Sequence, residues 1–508
     1  MASHEAPMAE REDLDLSGVK LEERPITGGV AARRKEEGFT PRLCLAIAAT
    51  VLGSAFQHGY NTGVVNAPQK IIEQWVNQTY ESRTGEPITA DGVTGIWSVT
   101  VSIFCVGGMA GAMFTGLVAD KFGRKGGLLI NNLFALLGGV LEGFSLMAGS
   151  YEMLIIGRFF IGVNCGLNAG LAPMYLTEIS PTHLRGAIGS LYQLVVTISI
   201  LVSQVLGMRN VLGTASGWPW LLALTLAPVV FQLAVMPFCP ESPRFTLINR
   251  NREVDAQKAL AWLRGSPEVH EEIDEMKAEN EASKLTPRVT LREITTNPAL
   301  RAPLIISVMM MLAQQLSGIN AVIFFSTDIY QRAGLNEMQA QSATLGMGAM
   351  NVLMTIISVV LVEKAGRKTL QMIGLSGMFV VTVLLTICLA LKDQAQWLSY
   401  ISIVLVISFV VCFATGPGSI PWFLVGELFA QSARPTATSI AVAVNWTANF
   451  IVGVSFLPLA NAMGPYVFLI FATVLAVAVL FTWKRVPETK NKPIDEITAM
   501  FRQRAYDK

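Results

Sequence analysis

Apolar residues in this chain neither alternate nor recur on one helical face. They run in long blocks from which charged side chains are almost absent. A helix of about 20 such residues crosses the hydrocarbon core of a bilayer. Twelve blocks meet that length: 43–65, 93–118, 127–148, 153–176, 186–207 and 217–238, then 302–333, 340–362, 369–391, 398–427, 435–460 and 466–484. Between the sixth and seventh, the polar stretch 240–300 contains two segments, 254–263 and 269–284, with the period of short soluble helices. The pattern predicts an all-α membrane protein of twelve transmembrane helices in two six-helix bundles. The expected divisions are a disordered tail at 1–42, a bundle at 43–239, a helical linker at 240–300, a second bundle at 301–486 and a tail at 487–508.

Lysine and arginine gather after the second, fourth, eighth and tenth blocks, as DKFGRK (120–125), HLR (183–185), EKAGRK (363–368) and Arg434. The positive-inside rule assigns these turns to the cytoplasm. Both termini and 240–300 follow them. The loop 66–92 is then external, and Asn77-Gln78-Thr79 within it is a glycosylation acceptor. Asn445-Trp446-Thr447 has the same form but lies inside a block, out of reach of the transferase.

The halves echo one another. The Gly-Arg-Lys turn at 123–125 recurs at 366–368, the spacing of Glu178 and Arg185 recurs in Glu427 and Arg434, and PESPR at 240 recurs as PETK at 487. Three motifs in the same order at nearly one separation point to a duplicated six-helix unit. Two acid–arginine sets result: Glu178, Arg185, Glu241 and Arg244, and Glu363, Arg367, Glu427, Arg434 and Glu488. Arginine bridges carboxylates in a planar fork, so such sets can latch the two halves together at the cytoplasmic face. The alternative is that they are topology signals on solvated helix ends.

Composition narrows the class. The chain is 52% hydrophobic and 15% charged, against about 25% charged in soluble proteins. A net charge of +1 suggests no nucleic-acid partner. Six cysteines without a CxxC pair, and four scattered histidines, make neither a disulfide framework nor a metal site. No nucleophile–base set and no phosphate loop is present, so neither an enzyme nor a cofactor is expected.

Polar side chains inside the blocks are costly and usually face a cavity. Gln193, Gln314, Gln315, Asn320, Asn351, Asn445 and Asn449 are amides, and Trp422 follows a Gly-Pro-Gly-Ser-Ile-Pro break. Amides both donate and accept hydrogen bonds, as the hydroxyls of a neutral polyol do, and an indole offers a stacking face. Interhelical hydrogen-bond glue is the competing reading. Trp446 fits a supporting role in the cavity wall. Of the few charges inside the blocks, Glu142 and Arg158 fall toward the outer side, where they can pair or snorkel.

The motifs GYNTGVVNAPQK (59–70), GRFFIGV (157–163), PESPR (240–244), QQLSGINAVIFFST (314–327), GPGSIPWF (416–423) and NWTANF (445–450) resemble those of animal facilitative glucose transporters, in the sugar-transporter branch of the major facilitator superfamily. The resemblance covers about residues 43–495. It implies passive hexose transport by alternating access at the plasma membrane, with D-glucose as substrate and Gln193, Gln314, Gln315, Asn320, Asn351, Trp422 and Asn445 as sugar contacts. A proton-coupled symporter, which would carry an acid where Asn61 stands, and a non-transporting sensor are the alternatives. Three departures stand out. Met311, Leu312 and Ala313 replace a Gln-Leu-Ser run, which weakens glucose against fructose. Ala414 replaces a glutamate. The first span carries one extra residue near His58.

Overall fold

The computed structural model describes residues 39–430 and 432–507, with the side chain of Glu363 left aside. The expected tail at 1–42 falls almost wholly outside that range. The first half contains α1 (Pro41–Gly63), a short α2 (Gln69–Thr84), α3 (Ala90–Phe122), α4 (Arg124–Ala148), α5 (Tyr151–Ile179), α6 (Arg185–Leu206) and α7 (Trp218–Phe238). The linker folds into α8 (Pro243–Ile248), α9 (Glu253–Arg264), α10 (His270–Lys284) and α11 (Leu291–Thr296). The second half contains α12 (Pro298–Leu316), α13 (Ile319–Arg332), α14 (Glu337–Ala365), α15 (Arg367–Ala390), α16 (Trp397–Thr415), α17 (Ile420–Leu428), α18 (Arg434–Met463) and α19 (Val467–Arg485), followed by α20 (Ile494–Tyr506).

Among the described residues, eleven helical stretches are long and apolar enough to cross a membrane. The last, Arg434–Arg485, is α18 and α19 joined by a 3-10 turn at Gly464–Tyr466, which makes twelve crossings. The seventh and tenth crossings are broken. Gly318, at φ +96°, separates α12 from α13, and residues 416–419 separate α16 from α17. Gly123 and Gly366 turn at φ +81° and +85° between their helices, a conformation glycine adopts without a Cβ penalty.

The first span contains a π-helical turn at Val51–Ala55, beside the stretch where an extra residue is expected. Such a turn inserts one residue into an α-helix without ending it. Gln232 of α7 supports it, donating to Ala49 O (3.3 Å) and Ser54 Oγ (2.9 Å) while accepting from Asn132 (2.9 Å).

Within the first half, α3 and α5 meet through glycines. A Cβ on Gly162 would lie 2.2 Å from Phe104 O, and one on Gly107 would lie 2.2 Å from Phe159 O. Small residues let helix backbones approach where lipid supplies no hydrophobic drive. Between the halves, α3 packs on α18 and α6 on α14. The linker helix α9 is held to α1 by Thr40, whose hydroxyl donates to Leu263 O (2.6 Å) and accepts from Leu43 N (3.1 Å).

Candidate functional site

The amides separate into two kinds. Gln314 is buried, and its Nε2 donates to the carbonyls of Pro417 (2.9 Å) and Gly418 (3.0 Å), which the break in the tenth crossing leaves without helical partners. Its Oε1 accepts from Asn445 Nδ2 (2.7 Å) and Gln315 Nε2 (3.1 Å). Asn320 Nδ2 in turn donates to Gln315 Oε1. One string of amides therefore ties α12, α13 and α18 to the break between α16 and α17. Met311, one of the departures, is fully buried, with its sulfur toward Asn445 (3.6 Å).

Gln193 and Asn351 belong to the other kind. Among the described residues, no hydrogen bond uses either side chain, and Gln193 is exposed. Gln193, Thr197 and Gln204 follow one face of α6, and Thr344, Gly348 and Asn351 follow one face of α14. These faces oppose each other across the halves, since a Cβ on Gly348 would lie 2.3 Å from Gln204 Oε1. Trp422 is 42% exposed just beyond the break that Gln314 braces. Trp446 reaches across from α18 to Gly108, Phe104 and His58.

Glu142 and Arg158 do not snorkel. Both are fully buried in the first half. Arg158 lies over the Phe104 ring (4.6 Å) and donates to Asn61 O (2.9 Å). The Asn61 amide donates to Gln57 O (2.9 Å) and Thr225 Oγ1 (2.8 Å), within its own half.

At the pole that carries the linker, the repeat has a repeated geometry. Glu241 accepts from the backbone N–H groups of Arg124 (3.0 Å) and Lys125 (2.9 Å), the first residues of α4. Glu488 does the same for Arg367 (3.0 Å) and Lys368 (3.2 Å) at α15. A carboxylate at a helix N-terminus satisfies orphan donors and complements the dipole. Glu178 pairs with Arg124 (2.9 Å), and Glu427 with Arg367 (2.9 Å). Arg124 was not among the expected partners, although the repeat sets it opposite Arg367. Arg185 donates to Thr177 O (3.1 Å), Arg434 to Phe429 O (3.3 Å), and Arg244 pairs with Glu279 (2.8 Å). Among the described residues, none of these bonds joins the two halves.

The pole that carries the first loop is different. Asn66, just past α1, donates to Ile323 O (3.0 Å) and Ser326 Oγ (2.6 Å) and accepts from Thr327 N (3.1 Å). Those groups flank Phe325, where α13 kinks. Gln341 of α14 accepts from Arg209 N (3.0 Å) and donates to Ala67 O (3.4 Å). Lys70 pairs with Asp328 (3.0 Å), and Arg209 with Glu337 (2.9 Å). Burial raises the Glu73 carboxyl above its usual range, with Lys70 pulling against that. This pole is shut by polar bonds between the halves. Asn77 is exposed on α2 at the same pole.

Sequence comparison places these features among known proteins. A family model described as "Sugar (and other) transporter" matches residues 45–501. Facilitated glucose transporter member 1 of Gallus gallus is 48% identical over 92% of this chain and 94% of its own length. Facilitated glucose transporter member 4 of Homo sapiens is 48% identical, with 92% of each chain covered. Among solved structures, the E. coli xylose transporter XylE in an inward-open conformation superposes with a TM-score of 0.75. It is 24% identical and covers 90% of this chain and 99% of its own.

Proposed function

This chain belongs to the sugar transporter family, and from that membership we infer that it is a multi-pass facilitative glucose carrier working by alternating access. The inference takes its substrate from the facilitated glucose transporters it resembles at 48% identity. It takes its mechanism from the asymmetry of the two poles. Polar bonds between the halves close the first-loop pole, and those at the linker pole stay within each half. A carrier with one side shut and the other unlatched is one end state of a rocking cycle. We take the first-loop pole as extracellular, with Asn77 glycosylated there, both termini in the cytoplasm and the plasma membrane as its location. The moving halves are drawn at 43–239 and 301–486, joined by 240–300.

Gln193, Asn351 and Trp422 are the leading sugar contacts, because they are open and unpartnered. Asn320 donates to Gln315, and the two can exchange that bond for sugar hydroxyls. Gln314 and Asn445 hold the wall in place. At the inner face, Glu178, Arg185, Glu241, Arg244, Glu363, Arg367, Glu427 and Arg434 remain our candidates for a latch formed when the outside opens, now with Arg124 added.

Transport is passive in this reading, since the open polar groups are amides and an indole, which do not ionise near neutral pH. In liposomes holding the purified protein, labelled glucose equilibrates, and an imposed pH gradient or voltage drives no accumulation. Accumulation under a pH gradient would replace the uniport reading with proton coupling, and Glu142 would be the first residue to substitute. Separately, Gln193→Ala is expected to raise the half-saturating glucose concentration about tenfold, the effect of leaving a sugar hydroxyl unpaired. Its melting temperature should be unchanged, since among the described residues the Gln193 side chain makes no hydrogen bond. An unchanged half-saturating concentration would remove Gln193 from the sugar site.

A further inference from the structure

We propose that Lys70 and Asp328 are gating residues of the transport cycle, an ionic latch that holds the outer side shut and weights the empty carrier toward its inward-facing form. The proposal rests on the alternating-access reading above. Asp328 sits on α13 in the second half with its side chain 4% exposed, and Lys70 sits on α2 in the first half with its side chain 46% exposed. Besides Lys70 Nζ at 3.0 Å, Asp328 accepts from Gln69 Nε2 at 3.5 Å and Arg332 Nε at 2.6 Å. Lys70 also faces Glu73 at 3.8 Å.

The bonds continue around the seam. Arg332 donates to Asn461 Oδ1 of α18 (2.6 Å), and Asn461 Nδ2 donates to Thr94 Oγ1 of α3 (3.2 Å). The ring therefore crosses from the first half to the second at Lys70 and returns at Thr94.

The charges explain why this can work as a latch rather than a permanent weld. Two carboxylates, Glu73 and Asp328, face two cations, Lys70 and Arg332, so the closed cluster is neutral. When the outside opens, Lys70 leaves with Glu73 and Asp328 keeps Arg332. No buried charge is stranded, which is the outcome that would otherwise forbid opening. Only the outward-closed form gains the bond across the seam, and a contact made in one state alone is what shifts a two-state equilibrium. Among the described residues the linker pole shows no such pair between halves, because Arg124–Glu178 and Arg367–Glu427 lie within their own halves. Arg209–Glu337 also crosses the seam, but Arg209 is 64% exposed there, and pairs that open to water contribute little.

The test compares wild type, Lys70→Gln, Asp328→Asn and the double variant in zero-trans glucose entry and exit. Releasing the latch enlarges the outward-facing fraction, so apparent affinity rises from outside and falls from inside. Each single variant should lower the half-saturating concentration for entry about three- to tenfold and raise that for exit. The double variant should shift no further than either single one, as coupled partners do. High external salt should act in the same direction on wild type and have no effect on the double variant. Unchanged entry and exit in Lys70→Gln, whose side chain is half exposed, would overturn the latch. So would shifts in the two single variants that simply add. Absence of glucose transport by wild type would overturn the carrier reading instead.

Discussion

Alanine at Gly162 is expected to leave little folded, transport-competent protein. The added Cβ would sit 2.2 Å from Phe104 O, and Gly166, one turn on, stands in the same relation to Gly108 O. On the facing helix, Gly107 meets Phe159 O at 2.2 Å and Gly111 meets Val163 O at 2.3 Å. The obstacle is main chain on both sides, so no rotamer change relieves it. Helices α3 and α5 must move apart. Overpacking typically costs about 1–3 kcal/mol, and a clash with a helix backbone belongs at or above the top of that range. The separation would also disturb Phe104 and Gly108, both of which meet Trp446 from the other half. The measurement is thermal unfolding of the detergent-purified variant, beside uptake. Gly116→Ala is the control: it lies on the facing helix α3 and, among the described residues, has nothing within 4 Å of its Cβ. That change should be neutral or stabilising by up to about 1 kcal/mol. A Gly162→Ala protein melting with wild type would show that the crossing is looser than these distances require.

Gln314→Ala is expected to lower both stability and transport, in contrast to Gln193→Ala, which should lower affinity alone. The substitution removes both donors from the Pro417 and Gly418 carbonyls and the acceptor from Asn445 and Gln315. Each buried group left unpaired costs about 1–3 kcal/mol. With several affected together, a loss of about 3 kcal/mol or more is expected. The broken crossing should then lose its fixed angle, and Trp422 beyond it should lose its position. A lowered melting temperature together with a reduced maximal rate supports this bracing role. If Gln314→Ala melts with wild type and only the half-saturating glucose concentration rises, Gln314 is instead a sugar contact.

Block length and the scarcity of charge announced twelve crossings, because a bilayer demands an uninterrupted apolar run whatever the rest of the fold does. The duplicated motifs announced two related halves, and Gly123 and Gly366 announced the turns between their helices. The breaks at 318 and 416–421 could be read from Gly and Pro. The extra residue of the first span could be counted, but not the π-turn beside it or its bracing by Gln232. That depends on a side chain distant in sequence meeting Ala49 O and Ser54.

Partnership was decided by the tertiary structure. Glu178 stands near Arg185 in sequence, yet it pairs with Arg124, because the end of α5 packs beside the start of α4 and not along its own following turn. Glu142 and Arg158 read as charges able to reach water at a helix end, whereas packing encloses both. The amides looked alike as letters. Only the fold separates Gln314, which satisfies the carbonyls of a broken helix, from Gln193, whose side chain makes no hydrogen bond among the described residues. The spacing of Gly107 to Gly111 and of Gly162 to Gly166 stands in the sequence, but not which helix each pair faces. The latch across the seam was not legible as a pair, since Lys70 and Asp328 are far apart in the chain and carry no shared motif, though Asp328 stands as a charge inside the seventh block. What the chain itself determined is the set of elements and their number, through local constraints of length, polarity and backbone freedom. Which charges and amides meet was settled only when the halves packed, because those meetings depend on distances between helices that no local pattern encodes.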